Sequence, residues 1–199
     1  MSLFCMLIAI LVGGRLVYRE IERRTIMVML AKPLRRWEFV IGKYCGLMLV
    51  LLLSVVMMTA WFALFMALSK VPVDPRLLLP VGMLVLRLGI ITAVAVLFST
   101  FVTPISGTVF ALGVYFLGNL SRSLLYWGTR DRPPFVRLVS TLAYYAVPNF
   151  ANLDYSGAVI HGQAVNPVQV WLGVLYAAVY IIAVLLLAVL VLNRRNFNN

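Results

Sequence analysis

Acidic side chains are scarce in this chain. Six Asp and Glu stand against seventeen Lys and Arg in 199 residues, beside a single histidine and two cysteines. The acids are Glu20, Glu22, Glu38, Asp74, Asp131 and Asp154, and none falls inside a clear apolar run. A membrane hydrolase built on buried carboxylates, or a metal cluster around the lone His161, is therefore poorly supplied. Cys5 and Cys45 lie in or beside apolar runs without CxxC spacing, which indicates neither a zinc site nor a disulfide framework. A phosphate-binding loop is missing too. Gly42-Lys43 lacks the upstream glycine of GxxxxGK(S/T) and is followed by Tyr44. No catalytic, cofactor-binding or metal-ligating residue is expected.

Charge of either sign is thin as well, at 12% of residues against 63% hydrophobic, with a mean hydropathy of +1.02. A soluble domain carries about a quarter charged residues, and no surface of this composition could face water without aggregating. The formal net charge of +11 raises the question of nucleic acid. Apolar runs separate most of the basic residues, however, and gather them at run ends, where anionic head groups account for them. No nucleic-acid partner is expected; the bilayer is.

A helix crossing the hydrocarbon core needs about 20 mostly apolar residues. Phe39–Leu68, Leu77–Phe101, Pro104–Tyr126 and Val168–Leu192 meet that length. Leu3–Val17 is shorter, but no basic residue precedes its apolar core and no small-residue cleavage site follows. It reads as a span and not as a signal peptide. The expected fold class is all-α, a polytopic membrane helix bundle of about five transmembrane helices. It forms a single domain over 1–199, with spans near 3–18, 39–68, 77–101, 104–126 and 168–192. Ser99–Pro104 is short enough to make a tight hairpin of its flanking spans. The outer loop, 128–167, contains a mostly apolar stretch, Phe135–Val147, followed by Pro148-Asn149. Such a stretch is expected to lie in the outer interface or dip into the membrane under a cover of protein.

With five spans, the loop over 19–38 and the C-terminal tail share one side. That side holds Arg15, Arg19, Arg23, Arg24, Lys32, Arg35, Arg36, Lys43, Arg194 and Arg195. The other holds fewer basic residues: Lys70, Arg76, Arg122, Arg130, Arg132 and Arg137. The bias puts the loop and the C-terminus in the cytoplasm. Trp37, Trp127 and Trp171 sit near span ends, as interfacial anchors do. Arg87 alone stands well inside an apolar run, where a charge costs at least ~2.5 kcal/mol unless it finds water or a partner. It is the candidate intramembrane polar site if it faces the bundle interior. The reading slightly favoured by sequence is that it snorkels outward, or that its span begins later.

The loop itself concentrates the charge. Glu20 precedes Arg24 by one helical turn, the favourable order for an ion pair. Ile26–Ala31 is apolar, and Pro33 stops the helix by removing a donor and restricting Lys32. The pattern predicts a short amphipathic helix along the membrane. Whether it only sets topology or also offers charge to a cytoplasmic partner stays open on pattern alone.

The order Arg19-Glu20-Ile21-Glu22, Thr25, Leu30, Lys32-Pro33-Leu34, Arg36, Glu38 and Gly42-Lys43 resembles the cytoplasmic loop of ABC-2 type transporter permeases. In that family an acidic pair and a threonine lead to a Leu-x-(Lys/Arg)-Pro element, then Arg-x-Glu and Gly-Lys. Leu97-Phe98-Ser99-Thr100 with Pro104 is similar to the family's tight hairpin. Val147-Pro148-Asn149-Phe150 is similar to an outer-loop element before its last span. The resemblance implies a half-transporter of six helices that dimerises, as a homo- or heterodimer, in a bacterial inner membrane. It implies export powered by a separate ATP-binding cassette subunit, so that this chain needs no cofactor and is not itself an ATPase. The loop would then be the coupling helix, acting through Arg19, Glu20, Glu22, Arg23, Arg24, Thr25, Lys32, Pro33 and Arg36. The family's first helix has no counterpart among five spans, so a start at an internal methionine or a shortened member is expected. An ion-driven carrier is the alternative within transport, disfavoured because no buried acid is placed to bind a coupling ion. A membrane enzyme or an assembly scaffold is the alternative from another class.

Overall fold

The computed structural model describes residues 5–7, 9–11, 36–70, 77–120, 135, 141, 147–160 and 165–194. Regular structure among them is helical throughout: α1 (Arg36–Leu68), α2 (Leu78–Phe101), α3 (Pro104–Asn119), α4 (Ser156–Ile160) and α5 (Pro167–Arg194), with a 3-10 turn at Phe150–Leu153. Within the described residues, Trp37–Leu68, Leu78–Phe101 and Pro167–Asn193 are long and apolar enough to cross a membrane. Ile105–Asn119 is a shorter apolar helix. This is an all-α membrane helix bundle.

Local chemistry sets the ends of these helices. α1 stops where the Ser69 N–H reaches Phe65 O at 3.0 Å and the Lys70 N–H reaches Ala67 O at 3.1 Å. Lys70 itself adopts a left-handed φ of 55°, which breaks the helical ladder. Val102 and Thr103 alone separate α2 from α3. Val102 is extended, and Pro104 takes the first turn of α3, where a missing N–H leaves nothing unsatisfied. The Phe98 ring stacks on Phe110 across the hairpin, centroids 5.6 Å apart. Just before α5, Asn166 accepts the Val168 N–H on its Oδ1 at 3.0 Å, across Pro167. α3 is described over Pro104–Asn119, whose sixteen residues cover about 24 Å, and 121–126 of the expected span lie outside the described residues. Of the expected first span only 5–7 and 9–11 are described. They are helical there, with Cys5, Met6, Ala9 and Ile10 buried in one cluster with Leu51 and Val55.

α2 is the axis of the bundle. Within its membrane-crossing window 61% of residues are buried, against 17% for α1 and for α5. Every residue from Arg87 to Val96 is buried, which means the helix is covered all round. Its most extensive contact is with α5, which offers Gly173, Ala177, Val184, Ala188 and Leu192 along one stripe. Small side chains there let the backbones approach, and dispersion between closely packed helices supplies the attraction in lipid. Gly89 marks a close crossing. A Cβ on it would stand 3.0 Å from Ile181 Cδ1 and 3.2 Å from the Tyr44 hydroxyl. The opposite face of α5, with Trp171, Leu175, Val179, Ile182, Leu186 and Leu190, is exposed and apolar, as a lipid-facing surface is. Exposed Trp37 and Trp61 stand about 36 Å apart along α1 at 1.5 Å per residue. That separation is comparable to a hydrocarbon core of ~30 Å.

Candidate functional site

The C-terminal ends of α1 and α3 and the N-terminal ends of α2 and α5 gather at one end of the bundle. There the chain from Val147 folds back, and the 3-10 turn touches α2, α3 and α5. Pro148 is buried, Phe150 is 0% exposed and Leu153 1%. Asn149 organises the turn. Its Oδ1 accepts the N–H groups of Ala151 (3.1 Å) and Asn152 (3.3 Å), and its own N–H donates to the Tyr176 hydroxyl at 3.0 Å. The Phe150 ring leans on Tyr115, centroids 6.1 Å apart. Gly118 supplies the space it occupies, since a Cβ there would lie 2.5 Å from Phe150 Cδ2 and 2.6 Å from Pro148 O.

Arg87 meets this segment about 14 Å along α2 from the helix start. Its Nη2 donates to Phe150 O at 2.6 Å and lies 3.2 Å from Asp154 Oδ2. The arginine is 8% exposed, and its Nε is buried with no partner among the described residues. The structure thus differs from the outward-snorkelling reading: the Arg87 side chain is buried and turns to Phe150 and Asp154, on a helix that begins at Leu78. Neighbouring helices enclose the side chain, so that it does not run out along α2 to the head groups. A carbonyl and a carboxylate come to it instead, and charge-assisted hydrogen bonds offset part of its desolvation. Asp154 is 48% exposed at the side chain. Partial burial pushes its carboxyl up. The Arg87 guanidinium and the Ser156 N–H, 3.1 Å from Oδ1, outweigh this and hold it below the usual carboxylate range.

A cleft of about 530 Å³ opens beside the pair. The folded-back segment forms one wall with Ala151, Asn152, Asp154 and Tyr155, and α5 forms the other with Gln169, Leu172, Gly173 and Tyr176. The other buried polar side chains of α2 bond to carbonyls of their own helix. Thr92, Ser99 and Thr100 donate to Leu88 O, Val96 O and Leu97 O.

Of the residues expected to carry coupling, Arg19, Glu20, Glu22, Arg23, Arg24, Thr25, Lys32 and Pro33 lie outside the described residues, and Arg36 is the first residue of α1. Most of Phe135–Val147 also lies outside them. Sequence reasoning missed the partnership of Arg87 with Phe150 and Asp154. The motif Val147-Pro148-Asn149-Phe150 was the available signal, but nothing in it names a guanidinium 63 residues away.

Among curated proteins, none matches this chain. The model of the family described as ABC-2 family transporter protein matches residues 1–197. That match takes in the charged loop, the α2–α3 hairpin and the segment seated on Arg87. The chain therefore belongs to the ABC-2 transporter family, as a multi-pass membrane permease subunit of an ABC transporter.

Proposed function

We propose that this permease exports its substrate across a bacterial inner membrane, with ATP bound and hydrolysed by a separate ATP-binding cassette subunit. The observation that carries the reading is the family match over residues 1–197 in a sequence without a phosphate-binding loop. On this reading energy enters through contact between chains. A partner shifts a conformational equilibrium only by its differential affinity for the two states. The segment Arg19–Lys32 supplies that contact, with Glu20, Glu22, Arg23 and Arg24 as its charges and Thr25, Pro33 and Arg36 shaping the helix and its exit. The permease works as a dimer, with an identical or a related second subunit. Val40, near the start of α1, and Leu192, near the end of α5, share one cluster. This supports a common side for the loop and the C-terminus, and the distribution of basic residues supports the cytoplasm as that side.

The test is recovery of the ATP-binding cassette subunit by the permease, measured alongside membrane abundance. Glu20→Lys with Glu22→Lys should lower recovery while abundance holds, since losing a partner at a desolvated charged contact costs a few kcal/mol. Arg130→Glu with Arg132→Glu should leave recovery unchanged. Equal recovery by the Glu20/Glu22 variant and the parent would reduce the loop to a topology determinant.

A further inference from the structure

We infer that the segment from Phe150 to Ile160 is a hinged lid on the cleft, with Phe150 as its pivot and the Asp154–Arg87 pair as its latch. The two halves of the segment are held unequally. At the pivot, Phe150 is fully buried against Tyr115 and the space left by Gly118, and its carbonyl accepts from Arg87 in the bundle interior. Leu153 is buried as well, and Asn149 ties the start of the turn to Tyr176 on α5. Beyond Leu153 the grip weakens. Asp154, Ser156 and Gly157 are exposed, Tyr155 packs half-buried against the core beside Gly173 of α5, and α4 makes no extensive contact with a long helix. The charge that ties this half to α2 is a carboxylate half open to water, 3.2 Å from the guanidinium.

One nitrogen, Arg87 Nη2, serves both halves. Releasing Asp154 therefore leaves the Phe150 carbonyl bond in place, and the far half can swing while the near half stays seated. Asp154 and Tyr155 are part of one wall of the cleft, and Gln169, Leu172, Gly173 and Tyr176 on rigid α5 form the other. Movement beyond Leu153 consequently changes the width of the cleft directly. The device resides in this chain alone and holds independently of how an ATPase docks.

Hydrogen exchange measured by mass spectrometry, on the full chain in lipid nanodiscs, reads the two halves separately. The Ala151 and Asn152 N–H groups, bonded to Asn149 Oδ1, report the pivot. The Val159 N–H, bonded to Tyr155 O, reports the latched half. Asp154→Asn removes the charge and keeps an oxygen for the Ser156 N–H. It should speed exchange over 155–160 about three- to five-fold, the scale of a half-exposed ion pair, and change 150–153 less than about twofold. Arg87→Met should speed exchange over both halves. Should Arg87→Met fail to accumulate in the membrane, Asp154→Asn decides alone. Equal acceleration of both halves by Asp154→Asn would show one rigid seat and overturn the hinge. No acceleration over 155–160 would overturn the latch.

Discussion

Gly118→Ala adds a single methyl group where the outer segment meets α3, and the structure sets its cost. The backbone at Gly118 is in a conformation that L residues adopt, so space alone requires glycine there. The new Cβ would stand 2.5 Å from Phe150 Cδ2, 2.6 Å from Pro148 O and 2.8 Å from Phe150 Cε2, whereas ordinary contact begins near 3.4 Å. Relief demands a shift approaching 1 Å, and neither neighbour is free to make it. Phe150 is wholly buried with its carbonyl held by Arg87, and the Pro148 atom is backbone. Overpacking of this kind costs about 1–3 kcal/mol. Helix propensity works the other way, since Gly→Ala gains up to about 1 kcal/mol within a helix. Gly113→Ala isolates that gain, because a Cβ on Gly113 of the same helix meets no atom within 4 Å. The two alanine variants should therefore differ by about 1–3 kcal/mol, with Gly118→Ala the less stable, as the propensity contributions largely cancel. Reversible unfolding in mixed micelles of increasing dodecyl sulfate content measures this difference. Equal stability of the two variants would mean that the segment does not rest on Gly118 as described.

Two further outcomes follow from the same contacts. The Asp154 carboxyl is held below its usual range, so its pairing stabilises the fold above about pH 4 and is lost as pH falls through the folded-state value. Stability measured from neutral to acid pH should show this loss in the parent and not in Asp154→Asn, and parallel curves would sink the assignment. Ala188→Leu, at a wholly buried position of the α2–α5 contact, should cost about 1–3 kcal/mol in the micelle assay. Val179→Leu, 58% exposed on the outer face of α5, should stay within about 0.5 kcal/mol of the parent. A reversed order would place the wrong face of α5 against α2.

The Arg87 site also explains why an arginine is tolerated in α2 at all. An isolated guanidinium in hydrocarbon is destabilising, and one that binds a carbonyl and a carboxylate from the same segment is less so while specifying where that segment sits. The energetic gain is small; the positional information is the larger effect. Phe150 and Leu153 supply burial, which alone would tolerate sliding, and Arg87 selects one register by requiring an acceptor at 2.6 Å.

An all-α membrane bundle is legible in this sequence because runs this apolar have one way to satisfy their backbone in hydrocarbon, and Phe39–Leu68 or Val168–Leu192 declare it without reference to any neighbour. The family is legible too, in short local motifs such as Arg19-Glu20-Ile21-Glu22 and Lys32-Pro33-Leu34. Which helix lies at the centre is not. α1, α2 and α5 are all apolar enough to cross, yet α2 is enclosed and the other two are mostly open. Lipid and protein interior are equally apolar, so hydropathy cannot separate a face turned to one from a face turned to the other. That decision rests on close approach, through Gly89, Ala177 and Ala188, and close approach exists only once the helices are packed. Arg87 repeats the lesson at one residue. In the linear sequence its nearest escape is to snorkel to the head groups. In the fold its partners are Phe150 and Asp154, brought to it by a chain reversal that no local pattern encodes, and enclosure by neighbouring helices leaves inward pairing as its lower-energy course.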